Sequence, residues 1–140
     1  MKKLCVLCVL LVLLLSSCGF YSLIDTRKYT CDVSEVQSVQ IVRIDHAEPV
    51  FVYEYTVLHD ITDYTTFIDR LNELDNHITI FGDPHVVAEG DVVIRIEFQN
   101  GDWEIVACGT QRSCRSGEFI TGPFIFDKDE FYALIEEYSK

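Results

Sequence analysis

The sequence VVIRIEFQNGDWEIV, residues 92–106, contains the clearest structural signal in the chain. Two runs rich in β-branched and aromatic residues flank a turn dipeptide, which is typical of a β-hairpin. Asn100-Gly101 predicts a two-residue type I′ turn, because Asn and Gly best tolerate the positive φ that this turn requires. Gln99 is then expected opposite Asp102.

This register sorts the hairpin side chains by polarity. One face is expected to hold six apolar residues: Ile94, Ile96, Phe98, Trp103, Ile105 and Ala107. Glu97 and Glu104 then become direct cross-strand neighbours on the other face, with Cβ atoms roughly 4.5 to 5.5 Å apart. Paired carboxylates of this kind suggest a hydrolase or a metal-dependent enzyme. Arg95 beside them favours a solvated ion-paired surface instead, since its charge would keep both acids ionised.

The remaining chain predicts an α+β fold with an antiparallel meander of about five to six strands and two helices packed on one face. Val and Ile outnumber Leu by 25 to 5 after residue 17, which favours sheet. Further strands are expected at residues 39–45, 50–59, 77–81 and 118–126, with Tyr55 and Val57 on a packed face. One helix is expected after Thr62, its N-cap. The second is expected after Asp127, with Glu130 completing a capping box.

The N-terminal residues have the profile of a signal peptide. Lys2 and Lys3 precede twelve apolar residues, Leu4 to Leu15, and Ser16-Ser17-Cys18 follow. A spanning helix needs about 20 apolar residues, so this run is expected to be cleaved rather than retained. The division is residues 1–17 as signal peptide, 18–34 as tether and 35–140 as one α+β domain.

The tetrapeptide Leu15-Ser16-Ser17-Cys18 resembles the lipobox of bacterial lipoproteins. That resemblance implies cleavage before Cys18 and a diacylglyceryl group on its sulfur. Two acyl chains hold a domain on a bilayer where one chain would be released. The expected location is therefore the extracytoplasmic face of the cell membrane. An ordinary secretory signal is the alternative.

Charge excludes some classes of partner. The chain carries 11 Lys and Arg against 23 Asp and Glu, and without residues 1–17 its formal charge would be −14. Such a domain repels phosphate backbones, so no nucleic-acid partner is expected. His46, His59, His77 and His85 lie in different segments without metal-ligand spacing, so no metal or other cofactor is expected unless folding brings them together.

Three cysteines remain after Cys18, an odd number. Cys108 and Cys114 are six positions apart across a predicted strand connection, and we expect a local disulfide between them. Cys31 paired with either one is the alternative. No catalytic signature surrounds any of the three.

Residues 109–117 contain Arg112 and Arg115 and no acid, the one local exception to the acidic charge. Arginine binds carboxylate or phosphate in a bidentate manner, so these two residues are candidates for ligand or partner binding. A solvated loop is the other interpretation.

The order of signal, lipobox, HDITDYTTFIDRLNEL, the hairpin and FIFDKDEFYALIEEY resembles small lipoproteins of Gram-positive bacteria. The resemblance implies a location and an architecture, and brings no catalytic residues. The sequence thus favours a lipoprotein whose domain binds a protein or small ligand without catalysis. An extracytoplasmic hydrolase or metal-dependent enzyme using Glu97 and Glu104, or converging histidines, is the alternative.

Overall fold

The computed structural model describes residues 29–47, 53–78, 87–109, 111–115, 118–122 and 124–140. The strands are β1 (Val36–Ala47), β2 (Tyr53–Asp60), β3 (Asn76–Ile78), β4 (Val92–Phe98), β5 (Trp103–Val106), β6 (Gln111–Arg115), β7 (Glu118–Gly122) and β8 (Phe124–Phe126). The helices are α1 (Tyr64–Glu73) and α2 (Lys128–Tyr138), and a 3-10 turn, Val33–Glu35, precedes β1.

Six strands form one antiparallel sheet in the order β2-β1-β4-β5-β6-β7, and β3 pairs with β8 in a small second sheet. The predicted α+β architecture is therefore confirmed, with β4 to β7 as the meander. Residues 118–126, predicted as one strand, form two strands in different sheets. The sequence has Pro123 between them, and proline lacks the N–H that a continuous ladder requires. The segment that was predicted as a loop, Gln111–Arg115, is strand β6.

Both helices pack on one face of the large sheet. From α1, Phe67, Ile68 and Leu71 are fully buried, and α2 contributes Phe131, Leu134 and Ile135. Each buried aliphatic or aromatic side chain of this kind stabilises the fold by about 1.5 to 3 kcal/mol. The sheet face opposite the helices is also buried in part, around Val42, Ile44, Val87, Val93, Ile105 and Ala107. The strands therefore carry apolar side chains on both faces.

Each helix start differs from its prediction in one respect: α1 has a different N-cap residue, and α2 lacks the predicted capping box. Asp63, not Thr62, caps α1, because its carboxylate accepts from the Thr66 N–H. Asp127 caps α2 as predicted, accepting from the Asp129 and Glu130 N–H groups at 3.1 Å. Glu130 does not complete the capping box, since its carboxylate accepts from the Asp75 N–H. It joins α2 to the end of α1 instead.

The folded domain begins before the predicted boundary at residue 35. Tyr29 is 1% exposed and Cys31 5%, and both belong to the helix-side core. Asn76 accepts from the Tyr29 N–H at 2.9 Å, and the Asn72 side chain both accepts from the Cys31 N–H and donates to its carbonyl. The described residues 29–34, assigned to the tether from the sequence, are thus part of the domain.

Candidate functional site

The β4–β5 hairpin has a three-residue loop in place of the predicted two-residue turn. The Phe98 N–H donates to the Asp102 carbonyl at 2.9 Å, and the Gly101 N–H donates to the Phe98 carbonyl at 3.0 Å. Gly101 has a φ of +89°. A turn followed by a residue in the left-handed region is the usual three-residue hairpin loop. Glu97 therefore pairs with Trp103 and Ile96 with Glu104, one residue away from the predicted register.

A shift of one residue moves every β5 side chain to the other face of the sheet. Glu104 consequently lies on the helix side and is fully buried, whereas Trp103 and Ile105 pack against the opposite face. The Tyr29 hydroxyl donates to Glu104 Oε2 at 3.4 Å, and the Tyr29 ring packs edge-on against Phe126. The predicted Glu97–Glu104 pair is therefore wrong, and the two carboxylates lie on opposite sides of the sheet.

Glu97 takes part in a separate group of contacts on the face opposite the helices. Arg95 Nη1 lies 3.2 Å from Glu97 Oε2, and the Ser38 hydroxyl donates to the same oxygen at 3.4 Å. The Arg95 guanidinium carbon lies 5.3 Å from the centroid of the Tyr55 ring. The Arg95 side chain is only 14% exposed, so the guanidinium of this ion pair is largely protected from solvent. The group joins β1, β2 and β4 and pairs Glu97 with a cation, whereas Glu104, which was expected on the same solvated face, is buried.

The histidines that the structure describes are separated along the sheet. His46 is exposed at the register position of Glu54, and His59 lies opposite Ile41. Five β1 residues separate these two positions, about 16 Å at the usual strand rise. Only the backbone of His77 is described, and His85 lies outside the described residues. Within the described part of the chain, no three His, Cys, Asp or Glu side chains are grouped so that they could hold a metal ion.

The cysteine positions contradict the predicted disulfide. Cys108 carries a free thiol whose pKa is raised by burial. The β5–β6 register places Cys114 opposite Trp103, five residues along the chain from Cys108. At about 3.3 Å per strand residue, that separation far exceeds the Cα distance of under 7 Å that a disulfide needs. The prediction placed Cys114 in the connection between two strands, whereas it lies in strand β6, whose register keeps it away from Cys108.

The two candidate arginines belong to strand β6 and not to a loop. Arg112 pairs in register with Ile105 and Thr121, and Arg115 pairs with Glu118. Their side chains lie outside what the structure describes, so their binding of an anion or partner stays a prediction. Cys18 and the rest of residues 1–28 are likewise outside the described residues. Among the helices that are described, none has the length and apolarity needed to cross a membrane.

A shallow groove of about 310 Å³ lies between the helices, lined by Arg70, Glu73, Leu74, Glu130, Ala133, Leu134 and Glu137. Its charged groups are largely engaged. Arg70 forms an ion pair with Glu137, and Glu130 accepts from the Asp75 N–H. The bond with Glu137 raises the pKa of Arg70 further above its ordinary value. These contacts therefore hold the two helices together, and the described residues of the groove form no catalytic arrangement of acid and base.

Strand β2 carries exposed apolar side chains that the sequence did not predict. Tyr55 and Val57, expected on a packed face, are 37% and 40% exposed, and the adjacent Leu58 is 38% exposed. The reason is topological, because β2 is the outermost described strand of the large sheet and the Tyr55 and Val57 side chains lie on the face opposite the helices. The alternation of apolar residues indicated a strand but not its place in the sheet.

Comparisons of this chain with protein-family models, with curated proteins and with solved structures give no match.

Proposed function

We propose that this protein is a lipoprotein held on the extracytoplasmic face of the cell membrane, whose acidic α+β domain binds a protein or small ligand without catalysing a reaction. The observation that carries the proposal is the lipobox-like Leu15-Ser16-Ser17-Cys18, which directly follows twelve apolar residues. The signal length, the small residues and the cysteine agree with one another. In this role the acylated Cys18 is the only membrane attachment that the domain needs.

The position of the first core residue supports a short tether. Tyr29 is buried in the core, eleven residues after Cys18. A chain of that length reaches at most roughly 36 to 40 Å when fully extended. The formal charge of −14 after residue 17 repels anionic headgroups, so we expect the domain to be held away from the bilayer surface. This arrangement leaves its surfaces accessible to a soluble or membrane-bound partner.

The carboxylate positions support binding in preference to hydrolysis. Glu104 is in the core, and Glu97 is paired with Arg95. A retaining glycosidase requires two carboxyl groups about 5 Å apart beside the substrate. The two glutamates do not meet that requirement. A carbohydrate hydrolase that uses this pair is therefore not proposed.

The test is to express the full chain in a Gram-positive host and to measure the intact mass of the mature protein. We expect an N-terminus at Cys18 carrying a diacylglyceryl group, and recovery in the membrane fraction. Cys18→Ser should release the protein from the membrane fraction or leave it unprocessed. Cys8→Ser is the matched control, because it makes the same change inside the apolar run and should leave the mature mass unaltered.

Recovery of unmodified protein in the medium, cleaved elsewhere than at Cys18, would refute the anchor. The binding role is tested separately, by affinity capture from solubilised membranes with the wild type and with Arg112→Ala/Arg115→Ala. Loss of a captured partner with the double variant would assign the contact to β6. If the wild type and the double variant capture the same partner equally, Arg112 and Arg115 do not contribute to its binding.

A further inference from the structure

The exposed apolar side chains of the described residues are concentrated on one strand. Of the four large hydrophobic residues that are exposed there, Tyr55, Val57 and Leu58 belong to β2, and the fourth is Tyr132 on α2. Among the strands that the structure describes, β2 has β1 on one side and none on the other. An edge strand presents backbone N–H and C=O groups that can pair with another strand. Strand β2 contains neither Lys nor Pro, two residues that commonly protect such edges.

We propose that β2 pairs antiparallel with β2 of a second copy of this chain, joining two six-stranded sheets about a twofold axis at Thr56. In this register Thr56 of one copy lies opposite Thr56 of the other. Tyr55 of each copy lies opposite Val57 of the other. The side-chain directions agree, because Tyr55 and Val57 pair with Ile44 and Val42 on one face of the sheet. Both residues therefore contribute to the same apolar surface across the twofold axis.

Side-chain pairing favours this register over its neighbour. Pairs of an aromatic with a β-branched residue stabilise antiparallel strands, and the register centred on Thr56 has two such pairs, Tyr55 with Val57 and its symmetry mate. A register centred on Val57 would place Glu54 opposite Asp60 twice, and like charges directly opposite destabilise a sheet. Register shifts in the β1–β2 pairing on both sides limit the regular part of β2 to residues 55–57. This segment is centred on Thr56.

The position of the N-terminal segment agrees with two copies on one membrane. A twofold axis perpendicular to the sheet keeps both helix layers on the same side of the joined sheet. Tyr29 belongs to the helix-side core and its N–H donates to Asn76, so residue 29 of both copies lies on that side. Two acyl anchors could then insert into one bilayer. This step alone rests on the proposed function, because the β2 pairing itself does not require an anchor.

The test uses two full-length copies with different affinity tags, expressed together and solubilised in a mild detergent. One tag is captured and the amount of the other is measured. Thr56→Glu in both copies puts two carboxylates opposite each other at the axis, and we expect co-purification to fall at least about tenfold. Thr56→Glu in one copy with Thr56→Lys in the other should restore it. Thr65→Glu, an exposed position on α1, is the matched control and should behave as the wild type.

Each outcome decides the proposal. Loss of co-purification with the Glu–Glu combination and its recovery with the Glu–Lys combination would confirm pairing at Thr56. A folding defect in the Glu copy would not be repaired by a Lys in the other copy. Equal co-purification of the wild type and the Glu–Glu combination would overturn it. Capture of another protein instead of the second copy would also overturn it. Cys18→Ser copies that still co-purify would separate this result from a failure of the proposed anchor.

Discussion

Replacing Gly101 with Ala tests the left-handed backbone conformation that the loop between β4 and β5 requires at this residue. Gly101 has a φ of +89°, and a Cβ built there meets nothing within 4 Å. The cost is therefore that of the backbone alone, about 1 to 2 kcal/mol for a residue with a Cβ in the left-handed region. Ala also restricts the unfolded chain, which offsets about 0.4 to 1 kcal/mol of that cost. We expect a net loss of about 1 kcal/mol.

The assay is urea unfolding of the mature chain carrying Cys18→Ser, followed by intrinsic Trp fluorescence from Trp103. With a typical slope of about 2 kcal/mol per molar urea, the midpoint should fall by about 0.5 M. Gly101→Asn should lower the midpoint by less, because Asn tolerates positive φ better than Ala does. Gly90→Ala provides a calibration, since Gly90 has a φ of +91° and similar free space. An unchanged or higher midpoint for Gly101→Ala would refute the positive φ of Gly101 and, with it, the observed loop.

Three further predictions concern separate parts of the domain. Asp127→Ala removes two N-cap hydrogen bonds of α2 and should lower the free energy of unfolding by about 1 kcal/mol, while Asp127→Asn should lose only part of that in the same urea assay. The Thr56 hydroxyl, followed by Arg43, lowers the pKa of Asp45, so Thr56→Val should raise that pKa in an NMR titration. The stabilising contribution of the Asp45 carboxylate is present above its unfolded-state pKa and is lost as the pH falls through the lower folded-state value; an unchanged pKa in Thr56→Val would refute the assignment. Burial raises the pKa of the Cys108 thiol, so alkylation at pH 7 should be slow in the folded protein and fast in urea, and a Cys108–Cys114 peptide in non-reducing mapping would contradict the structure.

The helices and the face of β4 were predictable because one side of each is buried. Phe67, Ile68 and Leu71 recur at helical spacing, and Ile94 and Ile96 alternate with polar residues. Such periodicity reports directly which side faces the core. The structure confirms these elements, with boundaries that differ by a few residues.

The register of β5 was not predictable, because that strand is apolar on both faces. Trp103 and Ile105 pack on one side of the sheet and Val106 on the other, so alternation does not identify the inward face. The dipeptide Asn100-Gly101 is compatible with loops of two and three residues. The difference between those loops turned Glu104 from an expected surface residue into a core residue. It also removed the candidate catalytic pair.

The edge position of β2 could not be predicted for a different reason. Tyr55 and Val57 form an ordinary strand pattern, and their exposure depends on which strands become neighbours in space. That order is set by long-range pairing of β1 with both β2 and β4. Local sequence carries little information about it. The candidate self-association surface therefore emerged from the topology.

The way the N-terminal segment is held has a mechanical consequence. Among the described residues, a pull on the N-terminal segment acts first on Tyr29, whose N–H donates to Asn76 and whose ring is buried against Phe126. The next residue in the line of force with such a bond is Cys31, which Asn72 holds through two hydrogen bonds. The load therefore reaches the end of α1 and the core before it reaches the first ladder bonds of β1. When force is applied at its N-terminal attachment, such a domain resists the sequential separation of its strands.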